Sequence, residues 1–347
     1  MKVFVYFQPK KKNSNFEGER FKKTIRNALE LNDVSYTSNV IEKFDIIHLI
    51  SPLDEDKINL AKENDLPVVV SALYVEDDPA ASYLEYKNKD GRRIVELSSK
   101  ALKFLNRANL VLVPCEFAKD YLLNAGVTSD IQVSFPGINI SRFDFSREDE
   151  KNIFYRYFRE QPGKKLIISI GEYEGNLEGI NALISAAKMC PNAVFYFIGH
   201  TTNMNNVPLT VKKIIKNAPK NLHFTNSLPD DVYRSALLNA DVFTIACYRP
   251  ASILSLSEAM MAKCQIIVRK QAIFPGLLVD GVNAYVAEFS ETIASLISDY
   301  LDGNLKPTIT ESYNFVKQYS LQLYGEKLKW FYQETINDNN FRRNNHD

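Results

Sequence analysis

Short runs of apolar, mostly β-branched residues alternate with amphipathic helical patterns along almost the whole chain. We predict strands at Val3–Phe7, Asp45–Ile50, Pro67–Leu73, Leu110–Pro114, Ile131–Phe135, Lys165–Ile170, Ala193–Ile198, Leu222–Thr225, Val242–Ala246, Gln265–Val268 and Ala284–Ala287. Most of these runs are apolar throughout, which is typical of strands in a parallel sheet covered by helices on both faces. The alternation predicts an α/β fold built from parallel βαβ units.

The chain is long enough for two domains, because 347 residues with 45% hydrophobic composition can bury two separate cores. A charged segment, Phe143–Lys164, contains Pro-Gly near its end and marks the junction. We therefore predict doubly wound domains over residues 1–150 and 151–320, a helix over 321–336 that packs back on the first domain, and a disordered tail over 337–347. Ligands are expected in a cleft between the carboxyl ends of the two sets of strands.

Composition excludes several classes of protein. Lys and Arg together number 42, as do Asp and Glu, so no bulk charge favours nucleic acid as a partner. The four cysteines lack metal-site spacing, which predicts reduced thiols and no metal site. No cofactor is expected. No segment reads as a signal peptide or reaches about 18 apolar residues. We expect a cytoplasmic protein, at most peripheral to the inner face of the cell membrane.

The stretch Ala240–Val268 contains a buried strand, an abrupt loop, a helix and a second buried strand. A helix N-terminus that follows a strand binds anions, because unpaired backbone N–H groups and the helix dipole converge there. Ser252 is predicted to cap this helix, so the N–H groups of Ile253 and Leu254 can hold a phosphate. Arg249 precedes them and adds a positive charge.

Several motifs occur in an order and at spacings that suggest a family. They are SIGEYEGNLEGINALISAAK (Ser169–Lys188), AVFYFIG (Ala193–Gly199), NLHFTNSLPDDVYRSALLNADVF (Asn221–Phe243), SEAMMAKCQIIV (Ser257–Val268), DGVNAYV (Asp280–Val286) and PGINISRF (Pro136–Phe143). Together they resemble the family 4 glycosyltransferases, and the N-terminal segment resembles the bacterial branch that adds a second hexose to glucosyl-diacylglycerol. The resemblance implies the GT-B architecture, two Rossmann-like domains facing across a cleft, with a UDP-sugar as co-substrate.

The resemblance also implies which residues bind the donor. Glu258 matches the glutamate that holds the ribose hydroxyls. Gly171 and the turn Ser252–Leu254 match the diphosphate site, and Asn226 and Leu228 lie in the segment near the base. The donor is expected on the second domain and the acceptor on the first.

Four of the family's functional positions are altered in this chain. Pro250 stands where a second glutamate faces the sugar, and Glu178 stands where a lysine contacts the diphosphate. Pro9–Gly18 replaces a glycine-rich loop, and Ser71 or Ala72 replaces a histidine. Lysine stabilises the negative charge of the leaving group, whereas a carboxylate beside a diphosphate repels it.

These alterations leave three functions open. The leading hypothesis is a retaining hexosyltransferase that moves a sugar from a UDP-hexose to a lipid-linked or glycan acceptor at the membrane. The alternatives are a non-catalytic homologue that binds and stabilises an active glycosyltransferase, and a nucleotide-sugar sensor. No catalytic residue is assigned, and His48, within an apolar strand, is interpreted as a hydrogen-bonded core residue.

Lys100, Lys103 and Arg107 share one face of a helix predicted over Ile94–Asn106. Such a face fits contact with anionic lipid, and it fits equally an ordinary surface helix of the first domain. The sequence alone leaves both interpretations open.

Overall fold

The computed structural model describes residues 1–7, 16–50, 54–74, 86–87, 93–94, 97–143, 148–173, 176–201, 203–246, 253–271, 274 and 276–344. The elements of the first half are β1 (Lys2–Tyr6), α1 (Phe16–Glu30), β2 (Ser35–Thr37), β3 (Ile46–Ile50), α2 (Glu55–Glu63), β4 (Val68–Ser71), β5 (Tyr86–Lys87), β6 (Arg93–Ile94), α3 (Ser99–Leu105), β7 (Leu110–Val113), α4 (Glu116–Asn124) and β8 (Asp130–Val133). Those that follow are α5 (Glu148–Phe158), β9 (Leu166–Gly171), α6 (Leu177–Met189), β10 (Val194–Gly199), α7 (Leu209–Lys216), β11 (Leu222–Thr225), α8 (Asp230–Asn239), β12 (Val242–Ile245), α9 (Ile253–Met261), β13 (Gln265–Arg269), β14 (Tyr285–Ala287), α10 (Ser290–Leu301), α11 (Ile309–Lys317) and α12 (Leu321–Asn344).

The chain divides into two compact units. Unit 1 comprises Met1–Ile138, Ser252–Leu254 and Tyr319–Asp347, and unit 2 comprises Asn139–Ala251 and Ser255–Gln318. None of the described helices combines the length and the apolar composition that crossing a bilayer requires.

Unit 1 is built on a parallel sheet in the order β2-β1-β3-β4-β7-β8. Its core combines the sheet with α1 and with α12, and it includes Leu328, Phe331 and Tyr332 from the latter helix. The helices α1 and α12 pack together at Gly325, where a Cβ atom would collide with the carbonyl oxygen of Ala28. Glycine at this position lets the two backbones approach closely.

His48, in β3, is a core residue, as the sequence predicts. Its side chain is fully buried, its Nδ1 lies 2.6 Å from the Tyr332 hydroxyl, and its Nε2 lies 2.7 Å from the Ser71 Oγ. Burial lowers the pKa of His48 to about 3, so the imidazole is neutral at physiological pH. The contacts connect α12 to the sheet through a buried chain of hydrogen bonds.

Unit 2 is built on a second parallel sheet, in the order β11-β10-β9-β12-β13-β14. The order reverses between β9 and β12, because β10 continues from one side of β9 and β12 pairs with the other. Helix α5 packs against α8, where the buried Phe154 donates its N–H to the Ser235 hydroxyl at 2.9 Å. Reversal points of this kind are where open α/β sheets bind ligands.

The predicted fold class is confirmed, since each unit is a doubly wound parallel α/β sheet. Every strand predicted from an apolar run is present, with ends that differ by at most two residues. Sequence reasoning missed β2, an edge strand of three residues with a partly polar pattern. It also missed the short antiparallel pair of β5 and β6.

The helix predicted over Ile94–Asn106 is wrong at its beginning. Ile94 belongs to β6, and the helix α3 starts at Ser99 because the Ser98 hydroxyl accepts a hydrogen bond from the Ala101 N–H at 3.1 Å. Arg107 follows the helix and pairs with Glu55 at 2.9 Å. Arg107 therefore does not share a helical face with the two lysines.

Two predicted boundaries also differ from the structure. Unit 1 ends at Ile138 and unit 2 begins at Asn139, whereas the sequence predicts the boundary at residue 150. The segment predicted as the junction, Phe143–Lys164, contains the helix α5. The tail predicted to be disordered from residue 337 is helical up to Asn344. Asn339 in this segment donates its amide N–H to the Asp65 carbonyl at 2.9 Å.

Candidate functional site

The carboxyl edge of the unit 2 sheet is the candidate site. Gly171 and Gly199 are paired in register at the ends of β9 and β10, and Ile198 is paired with Thr225 at the end of β11. The His200 N–H donates to the Gly171 carbonyl at 3.0 Å, which holds the first two strand ends together. Segments that follow these strands therefore emerge side by side.

The helix α6 begins close to the end of β12. A Cβ atom on Gly179 would lie 2.3 Å from the Asn176 Oδ1 and 3.0 Å from the carbonyl oxygen of Ala246, so glycine fits this close approach without displacing either neighbour. Asn176 precedes α6 and is 4% exposed, and its Oδ1 accepts no hydrogen bond from the described residues. The arrangement brings the N–H groups of a helix N-terminus to the reversal point of the sheet, where they can bind an anion.

Glu178 lies in the first turn of α6 and is exposed. Its carboxylate interacts favourably with the positive end of the helix dipole. A phosphate at the same helix end would have to compete with this carboxylate, so the position weakens anion binding relative to a lysine.

Glu258 lies in α9 and is 8% exposed. Its Oε1 is 3.5 Å from Nη1 of Arg142, whose Nη2 donates to Oδ1 of Asp230 at 2.8 Å. Arg142 comes from the 3-10 turn Ile140–Phe143, and Asp230 is the first residue of α8. One guanidinium therefore joins two carboxylates from separate helices of unit 2.

The segment after β11 contains two of the predicted donor-binding residues. Asn226 is exposed, and its carbonyl accepts a hydrogen bond from the Thr225 hydroxyl at 2.9 Å. Leu228 is buried, at 5% exposure, and the Ser227 N–H donates to the Thr201 carbonyl at 2.9 Å. Asn226 is thus presented at the edge, whereas the Leu228 side chain anchors the segment.

The remaining predicted donor-binding residues surround the start of α9. Ile253 and Leu254 are its first two residues, and their side chains are buried. Arg249, Pro250 and Ser252 lie outside the described residues. The predicted phosphate turn stays a prediction.

Sequence reasoning missed Tyr173, which follows β9. Its hydroxyl donates to the Thr225 carbonyl at 2.7 Å, and its ring occupies the space that a side chain at position 199 would need. Burial raises the pKa of Tyr173, so the phenol is protonated. Tyr173 therefore contacts the ends of β10 and β11 from its position after β9. In the sequence, only its position two residues after the glycine that ends β9 indicates this role.

Two arginines were missed as well. Arg142 stands in an ordinary loop motif, and only the fold brings it to Glu258. Arg269 ends β13 and is fully buried, so it places a positive charge at the carboxyl edge. In the sequence, Arg269 is marked only by being a cationic residue at the end of a largely apolar strand.

The described residues offer neither a metal-binding cluster nor a reactive thiol. Across the described part of the chain, no cluster of three or more His, Cys, Asp or Glu side chains is arranged to hold a metal ion. The described cysteines, Cys115, Cys190 and Cys264, are not joined in disulfides, and burial raises the pKa of each thiol. These thiols are therefore poor nucleophiles.

A sequence model of the family described as glycosyl transferases group 1 matches residues 152–344, more than half of the chain. The chain belongs to this family. The glycosyltransferase resemblance drawn from the motifs is thereby confirmed.

Individual relatives extend the similarity over nearly the whole length. The chain is 24% identical to a processive diacylglycerol alpha-glucosyltransferase from Acholeplasma laidlawii, over 97% of this chain and 99% of that protein. It is 22% identical to an alpha-monoglucosyldiacylglycerol synthase of the same organism, over 87% of this chain and 78% of that protein.

Solved structures show the same fold. The crystal structure of the Anabaena protein HepE in complex with UDP-glucose superposes with a TM-score of 0.71 at 13% identity. The match covers 97% of this chain and 100% of that protein.

Proposed function

We propose that this glycosyltransferase moves a hexose from a UDP-sugar to a lipid-linked acceptor, with retention of the anomeric configuration. The single observation that carries the proposal is the end-to-end similarity to a diacylglycerol alpha-glucosyltransferase. The sugar of UDP-glucose is α-linked, so formation of an α-glucoside corresponds to net retention. The UDP-glucose complex of HepE, which has the same fold, supports a UDP-sugar as the donor.

The carboxyl edge of the unit 2 sheet has the chemistry that a nucleotide diphosphate needs. Glu258 supplies a nearly buried carboxylate that accepts hydrogen bonds from the ribose hydroxyls. Gly171 and the N-terminus of α6 are the proposed backbone contacts of the diphosphate in unit 2. The contribution of Ile253 and Leu254, at the start of α9, stays a prediction from the sequence. Asn226 is exposed where the base is expected. No residue is assigned a catalytic role, because Pro250 stands at the position of the sugar-facing glutamate.

A lipid acceptor requires contact with a membrane surface. Lys100 and Lys103 lie in α3 and remain candidates for contact with anionic lipid, whereas Arg107 is paired with Glu55. We propose a peripheral contact in which the lysines approach the lipid headgroups.

A second function is favoured by a specific observation. Glu178 is an exposed carboxylate on the first turn of α6, and Pro250 carries no carboxylate. Removing one charged group that stabilises a transition state costs about 3–4 kcal/mol, by analogy with the removal of an oxyanion donor. Removing two such groups slows turnover by about four orders of magnitude or more. A homologue that binds UDP-sugars, or supports an active partner glycosyltransferase, without turnover fits these substitutions.

Binding and transfer assays separate these functions. A ligand at 100 times its Kd adds about 2.7 kcal/mol of stability, so UDP and UDP-glucose are expected to raise the melting temperature. Transfer is measured with radiolabelled UDP-glucose and UDP-galactose on vesicles that contain diacylglycerol or glucosyl-diacylglycerol. Labelled glycolipid supports the transferase, and a thermal shift without labelled product supports the sensor. If neither UDP nor UDP-glucose raises the melting temperature, both the transferase and the sensor are refuted.

The altered positions are tested directly by combining Pro250→Glu with Glu178→Lys. If the site has been deprived of its charged groups, the double variant has more transfer activity than the wild type. If the wild type is active and the double variant is not, the site uses a different arrangement of charges. Glu258→Gln serves as the control that weakens nucleotide binding in either background.

A further inference from the structure

We infer that Arg142 is a positioning residue, which holds the Glu258 carboxylate ready for the ribose hydroxyls of the nucleotide. The inference rests on the proposed function and adds to it a residue from a different part of the chain. It is carried by the geometry of Arg142, Glu258 and Asp230 within unit 2.

The two contacts of the guanidinium are unequal. Nη2 of Arg142 donates a hydrogen bond to Asp230 at 2.8 Å, whereas Nη1 lies 3.5 Å from Oε1 of Glu258. Arg142 is thus anchored on Asp230 and faces Glu258 as a nearby charge at a looser distance. A guanidinium placed in this way attracts the carboxylate without binding it as tightly as it binds Asp230.

The backbone around Arg142 is held as well. Arg234, one turn along α8 from Asp230, donates to the Arg142 carbonyl at 3.4 Å and pairs with Glu150 at 2.7 Å. The Arg142 side chain is 27% exposed. The guanidinium is therefore fixed before any ligand arrives, and recognition gains from such preorganisation.

Glu258 needs a cation because its side chain is 10% exposed. An ionised carboxylate at such a position loses much of its hydration, and a nearby positive charge compensates for that loss. Ribose hydroxyls donate hydrogen bonds, and they bind an ionised carboxylate more strongly than a neutral acceptor. Arg142 supplies this positive charge and orients the Glu258 carboxylate for the contact.

The test compares UDP with 2′-deoxy-UDP, because the pair differs by one ribose hydroxyl. Isothermal titration calorimetry on the full-length protein gives the ratio of their dissociation constants. For the wild type we expect a preference for UDP of about 30-fold, typical of one hydrogen bond to a charged group. In Arg142→Ala the preference is expected to fall below about threefold.

Conservative variants distinguish positioning from general folding. Arg142→Lys keeps a cation near Glu258 and is expected to recover a preference of about tenfold. Asp230→Asn weakens the hydrogen bond that anchors Arg142 and leaves Arg142 itself in place. Its expected preference for UDP over 2′-deoxy-UDP is the same as for Arg142→Lys. This variant tests the inference if Arg142→Ala does not fold. Arg156→Ala, an exposed arginine of α5, is the matched control and keeps the wild-type ratio.

Three results overturn the inference. If Arg142→Ala folds and keeps the full preference for UDP, Arg142 does not position Glu258, although the proposed function survives. If the wild type binds UDP and 2′-deoxy-UDP equally, no ribose contact exists for Arg142 to support. If the wild type binds neither nucleotide, the proposed function fails as well.

Discussion

Replacement of His48 by glutamine is expected to remove a specific part of the protein's pH dependence. Burial lowers the pKa of His48 to about 3, whereas an unfolded chain has a histidine pKa of about 6.5. Below about pH 6.5 the unfolded chain takes up a proton that the folded chain does not. The free energy of unfolding therefore decreases as the pH falls through this range, until the folded histidine is protonated near pH 3.

The magnitude follows from these two pKa values. Between pH 7 and pH 5, the linkage relation gives a decrease of about 2 kcal/mol from His48 alone. Glutamine does not titrate in this range, so His48→Gln is expected to lack this decrease. The variant is also expected to be less stable at pH 7 by about 1–3 kcal/mol, because Tyr332 and Ser71 recover their hydrogen bonds imperfectly.

The assay uses Trp330, the single tryptophan of the chain, which lies in α12 of unit 1. Urea unfolding followed by its fluorescence at pH 7 and pH 5 reports the stability of the unit that contains His48. Tyr332→Phe is the control, because it weakens the hydrogen bonding and keeps the histidine. Identical pH dependence in the wild type and in His48→Gln would refute the reasoning and assign the effect to other groups.

Three further substitutions test close packing and a shared hydrogen-bond donor. Gly325→Ala places a Cβ atom against the Ala28 carbonyl, so unit 1 should lose about 3 kcal/mol in urea unfolding followed by Trp330 fluorescence; wild-type stability would contradict the close helix crossing. Gly179→Ala should lower the stability by about 1–3 kcal/mol and weaken UDP binding, both measured by calorimetry, because the new Cβ displaces the Asn176 side chain and presses on the Ala246 carbonyl at the start of α6. Asn221→Leu removes the side-chain amide that donates to three backbone carbonyls. Calorimetry should show a decrease in stability of about 2–3 kcal/mol. An unchanged melting temperature would argue against these hydrogen bonds.

Much of the fold is predictable from the sequence because parallel strands are buried on both faces. Runs such as Ile46–Ile50 and Leu166–Gly171 are apolar at almost every position, so their strands follow from composition alone. Boundaries set by single side chains are harder to predict. The start of α3 depends on the Ser98 cap, and α12 continues to Asn344 through tertiary contacts that local composition does not reveal.

The places of Gly171, at the end of β9, and Asn226, after β11, follow from the apolar runs that precede them. Their donor-binding roles, like that of Glu258 within α9, come from the family resemblance and stay predictions. Arg142 and Tyr173 were not predictable, because their roles depend on distance in space rather than in sequence. Arg142 reaches a helix that lies more than a hundred residues later, and Tyr173 reaches the end of a strand two positions along the sheet.

The placement of α12 in the core of unit 1 has a consequence for biosynthesis. Leu328, Phe331 and Tyr332 leave the ribosome only after the whole of unit 2 has been made. Until then, the apolar surface that they cover on α1 and the sheet is exposed to solvent. Unit 2 is therefore able to complete its core during translation, whereas unit 1 completes its core only after α12 has been synthesised.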